Sequence, residues 1–281
     1  MSSFPLNDRE IQEFIDAAFA EDVSTGDVTA ESVIPENARL TASMNARQEL
    51  ILAGLPLMLP IFARLDPNID VQLHAVDGDK LSAGSKVATI SGSARALLTA
   101  ERTALNILQH LSGIATLTRT YVDAVAGTKA KLLDTRKTIP GLRKLAKYAA
   151  ACGGATNHRM GLFDAVMIKD NHIAVAGSVA TAVSAARNAG QKQIQVECDT
   201  LDQVQEALEA GATSLLLDNM SNDQLKEAIS IVGGKIPLEA SGGVTLETIH
   251  SIAQTGVDFI SVGRLTQSAP AIDIGLDYDN A

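Results

Sequence analysis

The feature that most constrains this chain is a series of six short apolar runs, each ending in a polar residue or glycine. They are AKLLDT (130–135), DAVMIKD (164–170), IQVECD (194–199), SLLLDN (214–219), IPLEASGG (236–243) and DFISVG (258–263). Continuous apolar runs of strand length fit strands covered on both faces, as in parallel sheets. From Gln195 through Leu216 and Leu238 to Ile260 the steps are 21, 22 and 22 residues. Helical patterns fill the later intervals, at 201–208 and 221–232. That is the period of compact βα units. The expected fold is α/β, with an incomplete (β/α) barrel, because six strands fall short of eight.

The N-terminal third reads as mixed α/β. Asn7 or Asp8 can cap a helix whose apolar side carries Ile11, Phe14, Ile15 and Ala18. Residues 38–53 and 69–91 alternate as strands do, and DGDKLSAGSKVATISG (77–92) reads as a β-hairpin. A long helix is expected over 94–125, with Leu98, Leu105, Leu108, Leu111 and Ala115 on its apolar face. Arg102, Asn106, Gln109, His110 and Gly113 form a polar or small stripe. That stripe meets water, lines a pocket or makes a subunit contact.

Charge is unevenly distributed. Residues 102–172 hold eleven of the 23 Lys and Arg but four of the 33 Asp and Glu, a balance of +7 inside a chain of −10. A basic island in an acidic protein suits a small polyanion better than a polymer, and the alternative is a solvated basic face. The negative total argues against general nucleic-acid binding. Cys152 and Cys198 make no disulfide framework, which points to a reducing compartment, and both read as small buried residues. MSSFPLNDREIQEF carries no secretory pattern, and the apolar run 51–63 is too short for a bilayer and contains Pro56 and Pro60. A cytoplasmic protein that leaves membranes alone is expected.

In barrels of this kind functional groups sit at the C-terminal ends of strands and in the loops beyond. Those positions hold Arg136 and Lys137, Lys169 and Asp170, Glu197 and Asp199, Asp218 and Asn219, Ser241-Gly242-Gly243, and Gly263-Arg264. Cations come first, carboxylates next, glycines last. Glycine loops after the last two strands fit a phosphate, because the main chain can approach its oxygens; the alternative is two ordinary turns. Arg136, Lys137, His158-Arg159 and Lys169 converging on one mouth indicate a ligand with several negative charges. Lys169 has a second reading, as a structural ion pair with Asp170 or Glu197. Arg143, Lys144 and Lys147 read as the solvated face of a helix opened by Pro140. Glu197 and Asp218 end consecutive strands. They suit Mg2+ held partly through water, sugar hydroxyls, or simple charge balance.

Longer stretches carry a resemblance. ERTALNILQHLSGIAT (101–116), DTRKTIPGLRKLAKYA (134–149), GGATNHRMGLFDAVMIKDNHI (153–173), VECD (196–199), LLLDN (215–219), LEASGG (238–243), GVDFISVGRLT (256–266) and EDVSTGDVT (21–29) resemble the quinolinate phosphoribosyltransferase family (nicotinate-nucleotide pyrophosphorylase, carboxylating). The likeness implies an N-terminal α/β sandwich, residues 1–114 completed by the tail 267–281, and a barrel over 115–266. It implies transfer of phosphoribose from phosphoribosyl pyrophosphate to quinolinate with loss of CO2, in NAD biosynthesis, with Mg2+ as cofactor. It also implies a homodimer or dimer-based oligomer with Arg102 reaching the neighbouring site. By that likeness Arg136, His158, Arg159 and Lys169 grip the two quinolinate carboxylates, with Thr135 among the substrate-binding residues and Lys137 near the pyrophosphate. Glu197 and Asp218 serve the ribose hydroxyls and metal; Ser241, Gly242, Gly243 and Gly263 hold the 5′-phosphate. The chain departs from the family where Gln267 replaces a common His and where Arg264 replaces a small residue, an added cation for that phosphate. Three other readings compete. They are a nicotinate-specific relative, an aldolase-type barrel with a Schiff base at Lys169, and an oxyanion binder without activity.

Overall fold

Asn7 opens the first helix, α1 (Asp8–Asp22), with a capping box: its side chain accepts from the Glu10 amide, and the Glu10 carboxylate accepts the Asn7 amide. In this computed structural model, which describes residues 3–278, the chain continues through α2 (Val28–Val33), β1 (Arg39–Ala46), β2 (Leu50–Ile51) and a 3-10 turn, Leu55–Leu57. Next come α3 (Met58–Ala63), β3 (Asp70–Leu73), β4 (Lys80–Leu81), β5 (Lys86–Ser93) and the long α4 (Ala94–Ala124). Then follow β6 (Lys131–Leu133), α5 (Arg143–Cys152), β7 (Val166–Ile168), α6 (Asp170–Ala176), α7 (Val179–Asn188) and β8 (Ile194–Cys198). The remainder is α8 (Leu201–Ala210), β9 (Ser214–Asp218), α9 (Asn222–Val232), β10 (Leu238–Ser241), α10 (Leu246–Gln254), β11 (Phe259–Ser261), α11 (Arg264–Gln267) and β12 (Ile274–Tyr278).

Two units emerge. The first holds the chain up to Arg119, Lys144–Gly153 and the segment from Ser268; the second holds Thr120–Arg143 and Gly154–Gln267. The first unit is built on an antiparallel sheet in the order β12-β1-β5-β3. Ala42, Met44, Val87 and Ile90 are buried from it, with Ile15 and Leu97 also in the core. Its outer strand β12 is held by the Arg47–Asp277 ion pair, by Asn45 Nδ2 on Asp277 (2.7 Å) and by Gln109 Nε2 on the Ile274 carbonyl (2.7 Å). Gly113 lies so close to the Pro270 carbonyl that no Cβ fits. Gln109 and Gly113 of the polar stripe on α4 are therefore occupied within this unit, while Arg102 and Asn106 stay exposed.

Two sequence expectations fail in this unit. Residues 77–92 form no hairpin: β4 pairs with β2, while β5 pairs with β1 and β3. Amides at Gly78 and Gly84 bond the carbonyls of Leu52 and Ala46 (2.8 and 2.7 Å), so the segment leaving β1 captures the intervening turn. Buried Asp77 anchors that turn further, accepting the Gly54 and Leu55 amides and the Tyr148 hydroxyl (2.8 Å). The second failure is α5. It starts at Arg143, and Lys147 is fully buried (0% exposed) instead of solvated. Leu145, Ala146, Tyr148, Ala149 and Ala150 are all buried around it, so no face at that point reaches water. Of the three cations only Lys144 lies at the surface, paired with Glu10; Arg143 donates to Thr138 Oγ1 and the Met160 carbonyl. The Tyr148 ring meets Phe4 edge-on at 5.2 Å.

The second unit is the incomplete barrel. All six expected runs form strands, in one parallel sheet of order β6-β11-β10-β9-β8-β7. Its edges are β6 and β7; a single parallel bridge, Leu133 to Thr156, extends the β6 side. Register puts Val196, Leu215, Leu238 and Cys198, Leu217, Ala240, Ile260 on one face, all buried. Val183 of α7, Val204 of α8, Leu225 of α9 and Ile249 of α10 are buried likewise, as expected for helices covering that face. Each such side chain contributes about 1.5–3 kcal/mol. Thr200 and Ser221 make capping boxes with Gln203 and Gln224, and Gly211 and Gly233 end α8 and α9 in the left-handed region. The opposite face carries Gln195, Glu197, Leu216, Asp218, Glu239, Ser241 and Ser261.

Candidate active site

That inner face and the loops after the strands enclose a cavity of about 630 Å3, lined entirely by second-unit residues. Thr135, Arg136, Lys137, His158, Arg159, Lys169, Glu197, Asp218, Ser241, Gly242, Gly243, Gly263 and Arg264 all line it, as does Gln267. Of the residues given a role at the site from sequence, Arg102 alone is absent from the lining; it is an exposed residue of the first unit, and the strand-end residues Asp170, Asp199 and Asn219 do not line the cavity either.

The cations come from three places near the open edge of the sheet. Arg136 follows β6, His158-Arg159 follow the Thr156 bridge, and Lys169 follows β7. The Arg159 guanidinium is held below its ordinary basicity by burial and by the neighbouring Arg136 charge, partly offset by Asp164. It still carries its charge, with Nη1 on the Ala165 carbonyl (2.9 Å). Arg136 Nε is buried and, among the described residues, has no hydrogen-bond partner. A buried donor left unmade costs about 1–3 kcal/mol, which an incoming acceptor recovers. Two guanidiniums in mutual repulsion, one with an unmade donor, make a site prepared for anionic oxygens.

Lys169 Nζ contacts Glu197 Oε2. Lys169 thus pairs with Glu197 inside the cavity that both line. His158 is also engaged at both ring nitrogens: Nδ1 accepts the Arg159 amide (2.8 Å) and Nε2 faces Glu239 Oε2 (3.2 Å). Its own amide donates to Asp134 Oδ1 (2.8 Å), a fully buried carboxylate that also accepts from Asn157 Nδ2 (2.6 Å).

Beyond the carboxylates the lining turns to backbone. Asn219 takes a positive φ of +54°, donates its amide to the Ser241 carbonyl (2.9 Å) and its side-chain amide to Asp218 Oδ2 (2.6 Å). Gly242 (φ +89°) sits against it so tightly that a Cβ would strike Asn219, whereas a Cβ at Gly243 (φ +59°) would point into open space. Lys137 lies across Gly263, where a Cβ would meet Lys137 Cδ at 2.7 Å. Thr135 Oγ1 accepts the Lys137 amide (3.0 Å), and Thr266 Oγ1 donates to the Lys137 carbonyl (2.7 Å), fixing that segment.

Comparison with known proteins decides the family. The profile "Quinolinate phosphoribosyl transferase, C-terminal domain" matches residues 114–277, and its N-terminal counterpart matches 27–112. The chain belongs to the quinolinate phosphoribosyltransferase family. A relative from Bacillus subtilis, named probable nicotinate-nucleotide pyrophosphorylase (carboxylating), is 43% identical over 97% of this chain and 94% of its own length. A Nicotiana glauca relative, quinolinate phosphoribosyltransferase (decarboxylating) 2, mitochondrial, is 43% identical over 96% of this chain and 82% of its own. Among solved structures, the nicotinate-nucleotide pyrophosphorylase of Francisella tularensis superposes with a TM-score of 0.94 at 42% identity, covering 99% of this chain and 100% of that one. NadC of Streptococcus pyogenes gives 0.93 at 40%, covering 98% and 99%.

Within this quinolinate phosphoribosyltransferase fold several lining residues escape a reading of strand ends. Glu239, Met167, Leu216 and Ser261 line the cavity from inside the strands, and Gln195 bonds Glu239 at 2.7 Å. The signal was present: Gln195, Glu239 and Ser261 are polar interruptions within apolar strands, and a polar residue there needs a partner or a cavity. Glu239 is 3% exposed. Burial pushes its carboxyl up, but hydrogen bonds from His158, Ser261 and Gln195 outweigh that and hold it below the usual carboxylate range.

Proposed function

We propose that the cavity takes quinolinate and phosphoribosyl pyrophosphate and yields nicotinate mononucleotide, pyrophosphate and CO2, a pentosyl transfer of NAD biosynthesis. The observation that carries this reading is the crowding of Arg136 and Arg159 around an unmade buried donor. A dicarboxylate relieves the repulsion and satisfies the donor, and one carboxylate fewer leaves part of that charge exposed. Lys169 joins them once it exchanges Glu197 for the substrate.

Catalysis is positioning and electrostatics. The Ser241-Gly242-Gly243 loop and Gly263 present backbone to the 5′-phosphate, with Arg264 adding charge beside Gln267. Glu197 and Asp218 accept ribose hydroxyls, and Lys137 lies near the pyrophosphate. As pyrophosphate leaves C1 with its bonding electrons, the pyridine nitrogen donates its pair to C1. The ring, now cationic, draws in the electrons of the C2–carboxylate bond, CO2 departs, and C2 takes a proton. Arg136 and Arg159 hold the two carboxylates until the one on C2 leaves as CO2.

Among the described residues no group of three or more His, Cys, Asp or Glu is arranged to hold a metal. Two hard carboxylates beside a phosphate site do fit Mg2+ carried mainly by substrate oxygens and water, with Glu197 and Asp218 as its protein partners. When bound it neutralises pyrophosphate charge.

The working unit is a homodimer in which Arg102 of each subunit serves the other's cavity. Support comes from the exposure of Arg102 and from Leu162 and Phe163, 75% and 84% exposed beside Arg159 in sequence. Mixing Arg102→Ala with Arg136→Ala subunits tests it: exchange restores turnover if sites are shared, and leaves both inactive if they are not. A cytoplasmic location fits two cysteines that form no disulfide, and among the described residues no helix is long and apolar enough to cross a membrane. The deciding assay supplies quinolinate, phosphoribosyl pyrophosphate and Mg2+ and follows CO2 with nicotinate mononucleotide. Turnover of nicotinate in place of quinolinate would overturn the reading.

A further inference from the structure

A second cavity, of about 500 Å3, lies against the first and is lined by Gln193, Gln195, Ser214 and Phe259 among others. Only three residues line both: His158, Arg159 and Glu239. They form the wall between the two, and a chain of hydrogen bonds runs through it. Gln195 Nε2 donates to Glu239 Oε2 (2.7 Å), and His158 Nε2 meets the same oxygen at 3.2 Å. The Arg159 amide donates to His158 Nδ1 (2.8 Å), and Arg159 Nη1 reaches the Ala165 carbonyl (2.9 Å). Because Nδ1 accepts, the ring proton sits on Nε2, and Glu239 is its acceptor.

We propose that Glu239 is a positioning residue that acts through His158: it fixes the imidazole tautomer and ring, the ring fixes the Arg159 backbone, and Arg159 thereby meets the substrate dicarboxylate in one orientation. This rests on the reading of the larger cavity as a quinolinate site. The wall residue has to be an acceptor, because one of its oxygens receives both Gln195 Nε2 and His158 Nε2. Glu239 touches no reacting atom in this scheme. His158, with both nitrogens committed to the protein, supports the guanidinium that grips the substrate.

The test uses the full chain with Glu239→Ala and Glu239→Gln. Glu239→Ala is expected to raise KM for quinolinate about 30-fold, equivalent to about 2 kcal/mol, while KM for phosphoribosyl pyrophosphate stays within about twofold. Glu239→Gln, which keeps a carbonyl for His158, is expected to rise by about fivefold or less. Imidazole 15N resonances, assigned by loss in His158→Asn, are expected to show Nε2-protonated His158 in the wild type and in Glu239→Gln. An equal rise in KM for both substrates, an unchanged quinolinate KM in Glu239→Ala, or Nδ1-protonated His158 in the wild type would each overturn the proposal. Should Glu239→Ala fail to fold, the tautomer in the wild type and in Glu239→Gln decides it. A wild-type protein that ignores quinolinate but shows the expected tautomer sinks the functional reading and leaves the Glu239–His158 coupling standing.

Discussion

The two larger sheets of this protein use the same alternation of side chains for opposite ends. In the antiparallel sheet of the first unit, Ala42, Met44, Val87 and Ile90 point into core and no titratable group joins them from those strands. In the barrel the apolar residues Val196, Leu215, Leu217, Leu238 and Ile260 are buried on one face. The inner face is left to Gln195, Glu197, Asp218, Glu239 and Ser241. One sheet makes a core; the other makes a core on one side and a reactive cavity on the other. Stability and chemistry are thus separable in the barrel, and each can be perturbed alone.

The strongest challenge to that separation is Arg136→Ala or Arg159→Ala. Loss of one charged partner costs about 3–5 kcal/mol of binding, about 10²–10³-fold or more in quinolinate kcat/KM. Circular dichroism and the melting temperature should stay close to wild type. A collapsed fold would show that the cations hold the barrel together. The reverse experiment is Ile90→Ala in the first sheet, expected to cost about 2–5 kcal/mol in urea unfolding with the site chemistry intact in the folded fraction.

Glycines sharpen the contrast at smaller scale. Gly242 and Gly84 share positive φ values of +89° and +83°, but only Gly242 is walled in, by Asn219. Alanine at Gly84 should cost about 1 kcal/mol of stability. Alanine at Gly242 should cost more and raise KM for phosphoribosyl pyrophosphate, read by titrating that substrate. Acid gives a pH test. Glu239 titrates below its ordinary value when folded, so its contribution is present above the ordinary carboxylate range and lost as pH falls through the depressed folded value. Glu239→Gln should therefore flatten the acid limb of urea stability against pH. The smallest effect concerns thiols. Burial pushes Cys152 up to about 11 and Cys198 up to about 12, and only Cys152 is partly accessible. Iodoacetamide should label Cys152 slowly and Cys198 only on unfolding, by mass spectrometry.

Much of the barrel was legible because its signals are local. An apolar run that stops at a charge or glycine marks both a strand and its functional end, and Arg136, Lys169, Glu197, Asp218 and Gly242 were all found that way. Features set by partners distant in sequence were not. Residues 77–92 alternate as a hairpin does, yet the choice between β2, β1 and β5 as neighbours depends on Leu52 and Ala46 carbonyls that no periodicity reveals. Lys147 looks solvated until α5 is enclosed by the first unit. The engagement of Lys169 with Glu197 and of His158 with Glu239 depends on side chains distant in sequence meeting in the fold.

The place of β12 has a consequence for how the molecule comes into being. Ala42 to Ala46 pair with Tyr278 to Ile274, so the first sheet lacks its outer strand until residues 274–278 have been synthesised. Meanwhile the barrel strands, joined by short connections, have all been synthesised. Closing so long a loop carries an entropic penalty that grows slowly with length but delays the pairing. During translation the first sheet is therefore completed after the barrel strands, with one edge of β1 bare in the interim and a template for unwanted strand exchange between nascent chains.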